Sequence, residues 1–119
     1  MRKGVYVLLA RLKEKKKIEV GSLGTFEFEP GLYCYVGSGM NNLDKRVERH
    51  FSEEKKKYWH IDYFLEEAEV GGAVKIRTER DLECELNKTV EEICEETPVP
   101  GFGSSDCKCR AHLHILEEG

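Results

Sequence analysis

Two tyrosines, an arginine, a histidine and a glutamate occur in this chain in an order that could serve hydrolysis of a phosphodiester. Tyr6 closes Gly4-Val5-Tyr6, and Tyr35 opens Tyr35-Val36-Gly37. Arg46 follows Tyr35 by eleven residues, His50 lies four beyond it, and Glu83 stands far downstream. The reaction needs a nucleophilic water, a base, positive charge against the non-bridging oxygens and help for the leaving group. A glutamate is a hard oxygen ligand suited to Mg²⁺. An arginine fork pairs with phosphate oxygens. A tyrosine could hold the water, or deprotonate it if a metal or cation lowered its pKa from ~10. His50 could orient the water or a tyrosine, or contact phosphate. Each residue also has an ordinary reading. Strand tyrosines are usually core or edge aromatics, Arg46 alone would be a solvated helix residue, His50 a surface or core histidine, and Glu83 competes with Glu85 two residues on.

Other residues carry chemistry of their own. Cys107-Lys108-Cys109-Arg110-Ala111-His112, with His114 beyond, has ligand types suited to zinc at Cys107, Cys109 and His112. Cys-x-Cys spacing is less usual for zinc than Cys-x-x-Cys, and buried thiols beside a strand histidine are the plainer reading. Tyr58, Trp59 and Tyr63 could stack on unpaired bases or fill a core. His60 and Asp62 could join the site or bond to each other.

These residues must be carried by an ordered set of elements. Val5 to Leu12 is apolar and β-branched enough for a central strand. Ile18 to Val20 and Thr25 to Glu29 alternate as half-exposed strands. Pro30-Gly31 breaks the chain before a strand over 32–36, which Gly37-Ser38-Gly39 ends. Asn41 or Asn42 caps a helix over 43–51 whose core stripe is Leu43, Val47 and Phe51, with Arg46 and His50 on a neighbouring face. A second helix covers 58–67. Glu69 to Arg77, with Gly71-Gly72 inside, reads as a bent strand or hairpin. Asp81 to Glu96 is a helix whose period is given by Leu82, Glu85-Leu86, Val90 and Ile93, with Asp81 in its first turn, stopped by Pro98 and Pro100. A glycine-rich loop over 98–106 leads to a closing strand over 111–116.

The 119 residues suffice for one domain with a real core. Hydrophobic residues make up 39% and charged residues 35%, which excludes a disordered chain. Glutamine is absent and lysine and glutamate abound, a thermophile's composition. No apolar run is long enough to cross a bilayer, and no membrane partner is expected. The run after Met1 is too short for a signal peptide, so the expected location is cytoplasmic. Five cysteines, an odd number, argue against a simple disulfide framework. The net charge of −4 opposes non-specific nucleic-acid affinity. Its distribution is uneven: residues 1–60 carry 13 Lys and Arg against 8 Asp and Glu, and residues 61–119 carry 6 against 15. The basic half supplies candidate phosphate contacts at Lys15, Lys16, Lys17, Arg49, Lys55, Lys56 and Lys57, or simply a solvated face.

Taken as an ordered set, the two tyrosine triplets, the arginine helix with a histidine one turn on, and the glutamate helix resemble the GIY-YIG endonuclease superfamily. The resemblance runs from Gly4 to about Glu96. Trp59-His60-Ile61-Asp62-Tyr63 and Gly101-Phe102-Gly103-Ser104-Ser105-Asp106-Cys107 resemble its stand-alone Uri-type subgroup. The resemblance implies a single α/β (α+β) domain over 1–119, with a small mixed or mainly antiparallel sheet flanked by about three helices. It implies a Mg²⁺- or Mn²⁺-dependent endonuclease acting on nucleic acid, DNA first, with repair as a setting. The alternative is a nucleic-acid-binding module of the same fold with little or no catalysis. Tyr6, Tyr35, Arg46, His50 and Glu83 would be the catalytic set, Glu83 the metal ligand. The family often places an asparagine near that glutamate; Ser104, Ser105 or Asp106 could fill its place here. The hairpin over 18–29 is an insertion between the two triplets.

Overall fold

The computed structural model describes residues 3–52, 57, 59–103 and 109–118. Strand β1 (Gly4–Leu12) is the long apolar run near the start. A charged turn leads to β2 (Lys16–Glu19), a 3-10 turn at Gly21–Leu23 and β3 (Thr25–Phe28). β2 and β3 form a separate two-stranded antiparallel sheet. Strand β4 spans Gly31–Gly39, helix α1 Leu43–Phe51 and helix α2 His60–Leu65. Strand β5 (Glu69–Arg77), helix α3 (Glu83–Ile93) and strand β6 (Leu113–Glu118) complete the chain. The main sheet has the order β5-β1-β4-β6 and every pairing in it is antiparallel. The fold class is therefore α+β: a four-stranded antiparallel sheet, a two-stranded sheet and three helices.

The pleat of the central strands divides the interior in two. Tyr6, Leu8, Ala10, Tyr33, Leu113 and Ile115 point to one face and pack with Leu43 and Val47 of α1 and Ile61 and Phe64 of α2. Val7, Leu9, Cys34 and Val36 point to the other and pack with Leu86, Val90 and Cys94 of and after α3. Both faces of β1 and β4 are thus covered, which is why β1 reads as a continuous apolar run rather than an alternating one. The β2–β3 sheet adds Ile18, Val20 and Phe28 to the larger cluster.

Several elements differ from the sequence reading. β4 continues through Gly39 because the ladder with β1 runs on to Gly4↔Gly39. Of the two readings of Glu69 to Arg77 the strand holds: β5 is one strand, and its double glycine lies beside an irregularity in register between Leu9 and Ala10. α2 and α3 are shorter than expected at both ends. Asp81 lies ahead of α3, where its carboxylate accepts from the Glu83 amide at 3.3 Å. Asn42 caps α1, its side chain accepting from the Lys45 amide. The inner line of α1 is Leu43, Val47 and His50, while Phe51 is 48% exposed. The i, i+4, i+7 line meets the sheet, and i+8 has turned away from it. Ile93 is likewise exposed, and Asn87 takes a buried place on α3.

Candidate functional site

The two glycines that close β4 decide what can gather beside it. Tyr6 pairs across the ladder with Gly37, so both residues face the same side. A Cβ on Gly37 would lie 2.4 Å from the Tyr6 hydroxyl oxygen, so the bare strand is what lets the phenol lie against it. A Cβ on Gly39 would lie 2.7 Å from the Leu43 Cα and 3.3 Å from the Arg46 Cβ. That glycine lets the first turns of α1 close on the strand end.

On this face the phenol of Tyr6 and Nε2 of His50 share a 2.6 Å hydrogen bond, both side chains being buried. The Tyr35 ring packs 6.4 Å from Tyr6 and 6.1 Å from His50, centroid to centroid. Arg46 stacks over Trp59 at 4.1 Å, and Arg49 over the same ring at 4.4 Å. Arg49 also grips Asp62 with two bonds of 2.8 and 2.9 Å, and Asp62 accepts from the Trp59 amide. This fastens α1 to α2.

Glu83 arrives from the opposite side. α3 covers the other face of the sheet, and Glu83 meets the end of β4 where Ser38 donates to its Oε1 at 2.6 Å. His112 Nδ1 lies 3.2 Å from its Oε2 and 3.0 Å from the Val36 carbonyl oxygen. The strand stands between Glu83 and the tyrosines, yet the carboxylate is near enough for its charge to act on both phenols. Arg46 and Glu83 therefore share one end of β4 from two faces of the sheet, not one.

Electrostatics settle what the tyrosines can do unaided. Burial pushes the Tyr6 phenol well above its ordinary value, and the Arg46 guanidinium beside it only partly offsets this. Burial also pushes Tyr35 well up, with Tyr6 and Glu83 adding to the effect. Both are held as neutral hydrogen-bonding groups, and either would deprotonate a water only if a bound metal or cation lowered its pKa.

The chain belongs to the DUF123 family. That family is described as a domain of unknown function, and its profile matches residues 5–119. No curated protein and no solved structure matches the chain.

In this DUF123 chain the remaining expected residues are dispersed. Lys15 pairs with Glu27 and Glu29 on the β2–β3 sheet, Lys57 pairs with Glu66, and Arg49 is committed to Asp62. Lys16 and Lys17 lie in β2 and its ladder with β3. Lys55, Lys56, Tyr58, Ser104, Ser105, Asp106 and Cys107 lie outside the described residues. Trp59 and Tyr63 pack partly buried against the core, as the apolar reading has it. His60 does not bond to Asp62; its Nδ1 accepts from the Gly103 amide at 2.9 Å. Among candidate metal ligands, the atoms of Cys84, Cys109 and His112 lie within 4.8 Å of one another.

Ser38 and His112 were not singled out as partners of Glu83, and no local signal marks them. Asn87, one turn after Glu83, spends its amide within the core. It donates to the Ala111 carbonyl at 2.7 Å, and its Oδ1 lies 2.8 Å from His114 Nε2.

Proposed function

We propose that this chain is a GIY-YIG-type, metal-dependent endonuclease that hydrolyses nucleic-acid phosphodiester bonds, with DNA as the first substrate to try. The observation that carries the reading is the gathering at one strand end. Tyr6, Tyr35, Arg46 and His50 are mutually in contact or electrostatic reach, and the Glu83 carboxylate is close enough to act on both phenols.

The donor set fits a hard divalent cation. Glu83 offers a partly exposed carboxylate whose two oxygens each keep lone-pair capacity beyond Ser38 and His112. Mg²⁺ or Mn²⁺ bound there would keep most of its waters, lower the pKa of one of them and draw charge from a phosphate oxygen. The chain's own groups do the rest. Arg46, packed over the Trp59 ring, presents a guanidinium to a non-bridging oxygen. Tyr6, fixed by His50, and Tyr35 orient water or phosphate as neutral hydrogen-bond partners. Ser38 holds the carboxylate in one rotamer.

The test is a cleavage screen over duplex, flap, nicked, abasic and single-stranded substrates with Mg²⁺ or Mn²⁺. Glu83→Ala and Arg46→Ala should each lower the rate by a factor on the order of a hundred to a thousand, about 3–4 kcal/mol. Full-rate metal-dependent cleavage by Glu83→Ala would refute the assignment. The binding-only reading predicts instead retention of DNA without turnover. It draws support from the burial that keeps both phenols protonated.

A further inference from the structure

Beside Glu83 lies a second set of ligands that the hydrolytic reading does not use. Cys84 is the second residue of α3, Cys109 precedes β6, and His112 stands immediately before β6. Segments twenty-five residues apart in sequence thus bring two thiols and an imidazole together, their ligand atoms all within 4.8 Å of one another. We propose that Cys84, Cys109 and His112 form a zinc site that fastens the first turn of α3 to the segment entering β6.

The orientation of His112 is what argues for a metal rather than a chance cluster. Its Nδ1 lies 3.0 Å from the Val36 carbonyl oxygen. A carbonyl only accepts, so Nδ1 carries the hydrogen, and the same hydrogen faces Glu83 Oε2 at 3.2 Å. In the neutral ring this leaves the lone pair on Nε2, the nitrogen a metal would take. A ring nitrogen held by a carbonyl and a carboxylate, which leaves the other nitrogen as the basic one, is the usual arrangement around protein-bound zinc. The chemistry of the set points the same way. Two thiolates and an imidazole prefer zinc to the hard cations suited to Glu83. Their two negative charges balance Zn²⁺, so the ion can sit against a fully buried histidine without an uncompensated charge.

The site gives α3 a reason to begin where it does. The N-cap, Leu82, has no side-chain hydrogen bond, Asp81 accepts from the Glu83 amide at a long 3.3 Å, and Ser38 and His112 lie against the Glu83 carboxylate. A metal bond at Cys84 would anchor that turn, and with it Glu83. The proposal is independent of the hydrolytic reading, because its measurement is metal content.

The wild-type chain, purified without added metal or chelator, should contain about one zinc per chain by plasma mass spectrometry. Replacement by Co²⁺ should give intense thiolate-to-cobalt charge-transfer absorption and the d–d bands of a tetrahedral site. Cys84→Ser and Cys109→Ser should each lose the zinc on dialysis and weaken the charge-transfer band, while Cys94→Ser, on the other side of α3's end, keeps both. Glu83→Gln should keep the zinc, since Val36 still holds His112, while losing cleavage if the hydrolytic reading is right. Failure of one idea is thereby separated from failure of the other. A zinc-free wild type whose cobalt form shows no thiolate band would overturn the proposal. So would a Cys84–Cys109 disulfide in protein prepared under reducing conditions, or zinc retained by the Cys84→Ser, Cys109→Ser double variant.

Discussion

Gly37→Ala should damage the tyrosine face without touching any polar group directly. The backbone at Gly37 is not among the positive-φ glycines, so alanine meets no conformational penalty there. The obstacle is contact: the new methyl would lie 2.4 Å from the Tyr6 oxygen, 2.5 Å from Cζ and 2.9 Å from Cε1. Tyr6 is buried and bonded to His50, so its ring cannot swing to solvent. Overpacking a tight interior costs roughly 1–3 kcal/mol. Displacing the phenol also weakens the Tyr6–His50 bond, worth about 0.5–1.5 kcal/mol. The expected loss is therefore about 2–4 kcal/mol, read as a lower urea midpoint at unchanged slope. The decisive measurement is the same substitution in a Tyr6→Leu background. Leucine lacks the three atoms that clash, so Gly37→Ala should there cost no more than about 0.5 kcal/mol, the usual size of a substitution that meets no packing or polar obstacle. Equal costs in the two backgrounds, or no cost in the first, would refute the claim that this glycine exists to seat the phenol.

The remaining expectations concern polar groups. Arg49→Ala should cost about 3–5 kcal/mol in urea unfolding, because it takes the guanidinium and its two hydrogen bonds from the fully buried Asp62 carboxylate; a loss under 1 kcal/mol would show that the pair adds little to the fold. Asn87→Ala removes two buried hydrogen bonds and should cost about 2–4 kcal/mol, since Ala111 and His114 lose partners with no solvent to replace them. Tyr6 and Tyr35 should resist ionisation in an alkaline absorbance titration, their absorbance change coming well above the ordinary phenol range near ~10. In the unfolded chain they ionise near ~10, so stability is unaffected below that pH and falls as pH rises above it. Tyr6→Phe should remove part of that alkaline loss; an unchanged alkaline profile would mean that Tyr6 is not held neutral by the fold.

What could be read from the sequence follows the range of the forces involved. α1 was legible to the residue because Asn42, the apolar line and the helix end are local signals. β1 and β4 were legible as strands, since apolar and β-branched runs need no partner to be recognised. The end of β4 was not, because Gly37-Ser38-Gly39 extends only through pairing with β1, a contact some thirty residues away. Phe51 and Ile93 were misplaced for a related reason. Period alone does not say which of two adjacent apolar positions the sheet will cover. The candidate residues stand out in the sequence as an ordered set, but their surroundings were not legible. Nothing near Ser38 or His112 announces Glu83, and nothing in Cys107-Lys108-Cys109 points to Cys84 as the third ligand atom beside Cys109 and His112.

The same three residues that hid the end of β4 explain how two faces of a sheet can share one site. Alternation along a strand sends successive side chains to opposite sides. In Gly37-Ser38-Gly39 it offers the tyrosine face two absent side chains and the glutamate face one hydroxyl. The first absence admits the Tyr6 phenol, and the second admits the start of α1 and hence Arg46. The hydroxyl between them fixes Glu83. A strand with ordinary side chains at 37 and 39 would be wider by a methyl or more at both points. That would push Tyr6 and Arg46 away from the glutamate whose charge they now feel or oppose. The strand end thus sets the separation between the cationic and anionic halves of the site, and the two glycines are as much a part of it as the charged groups.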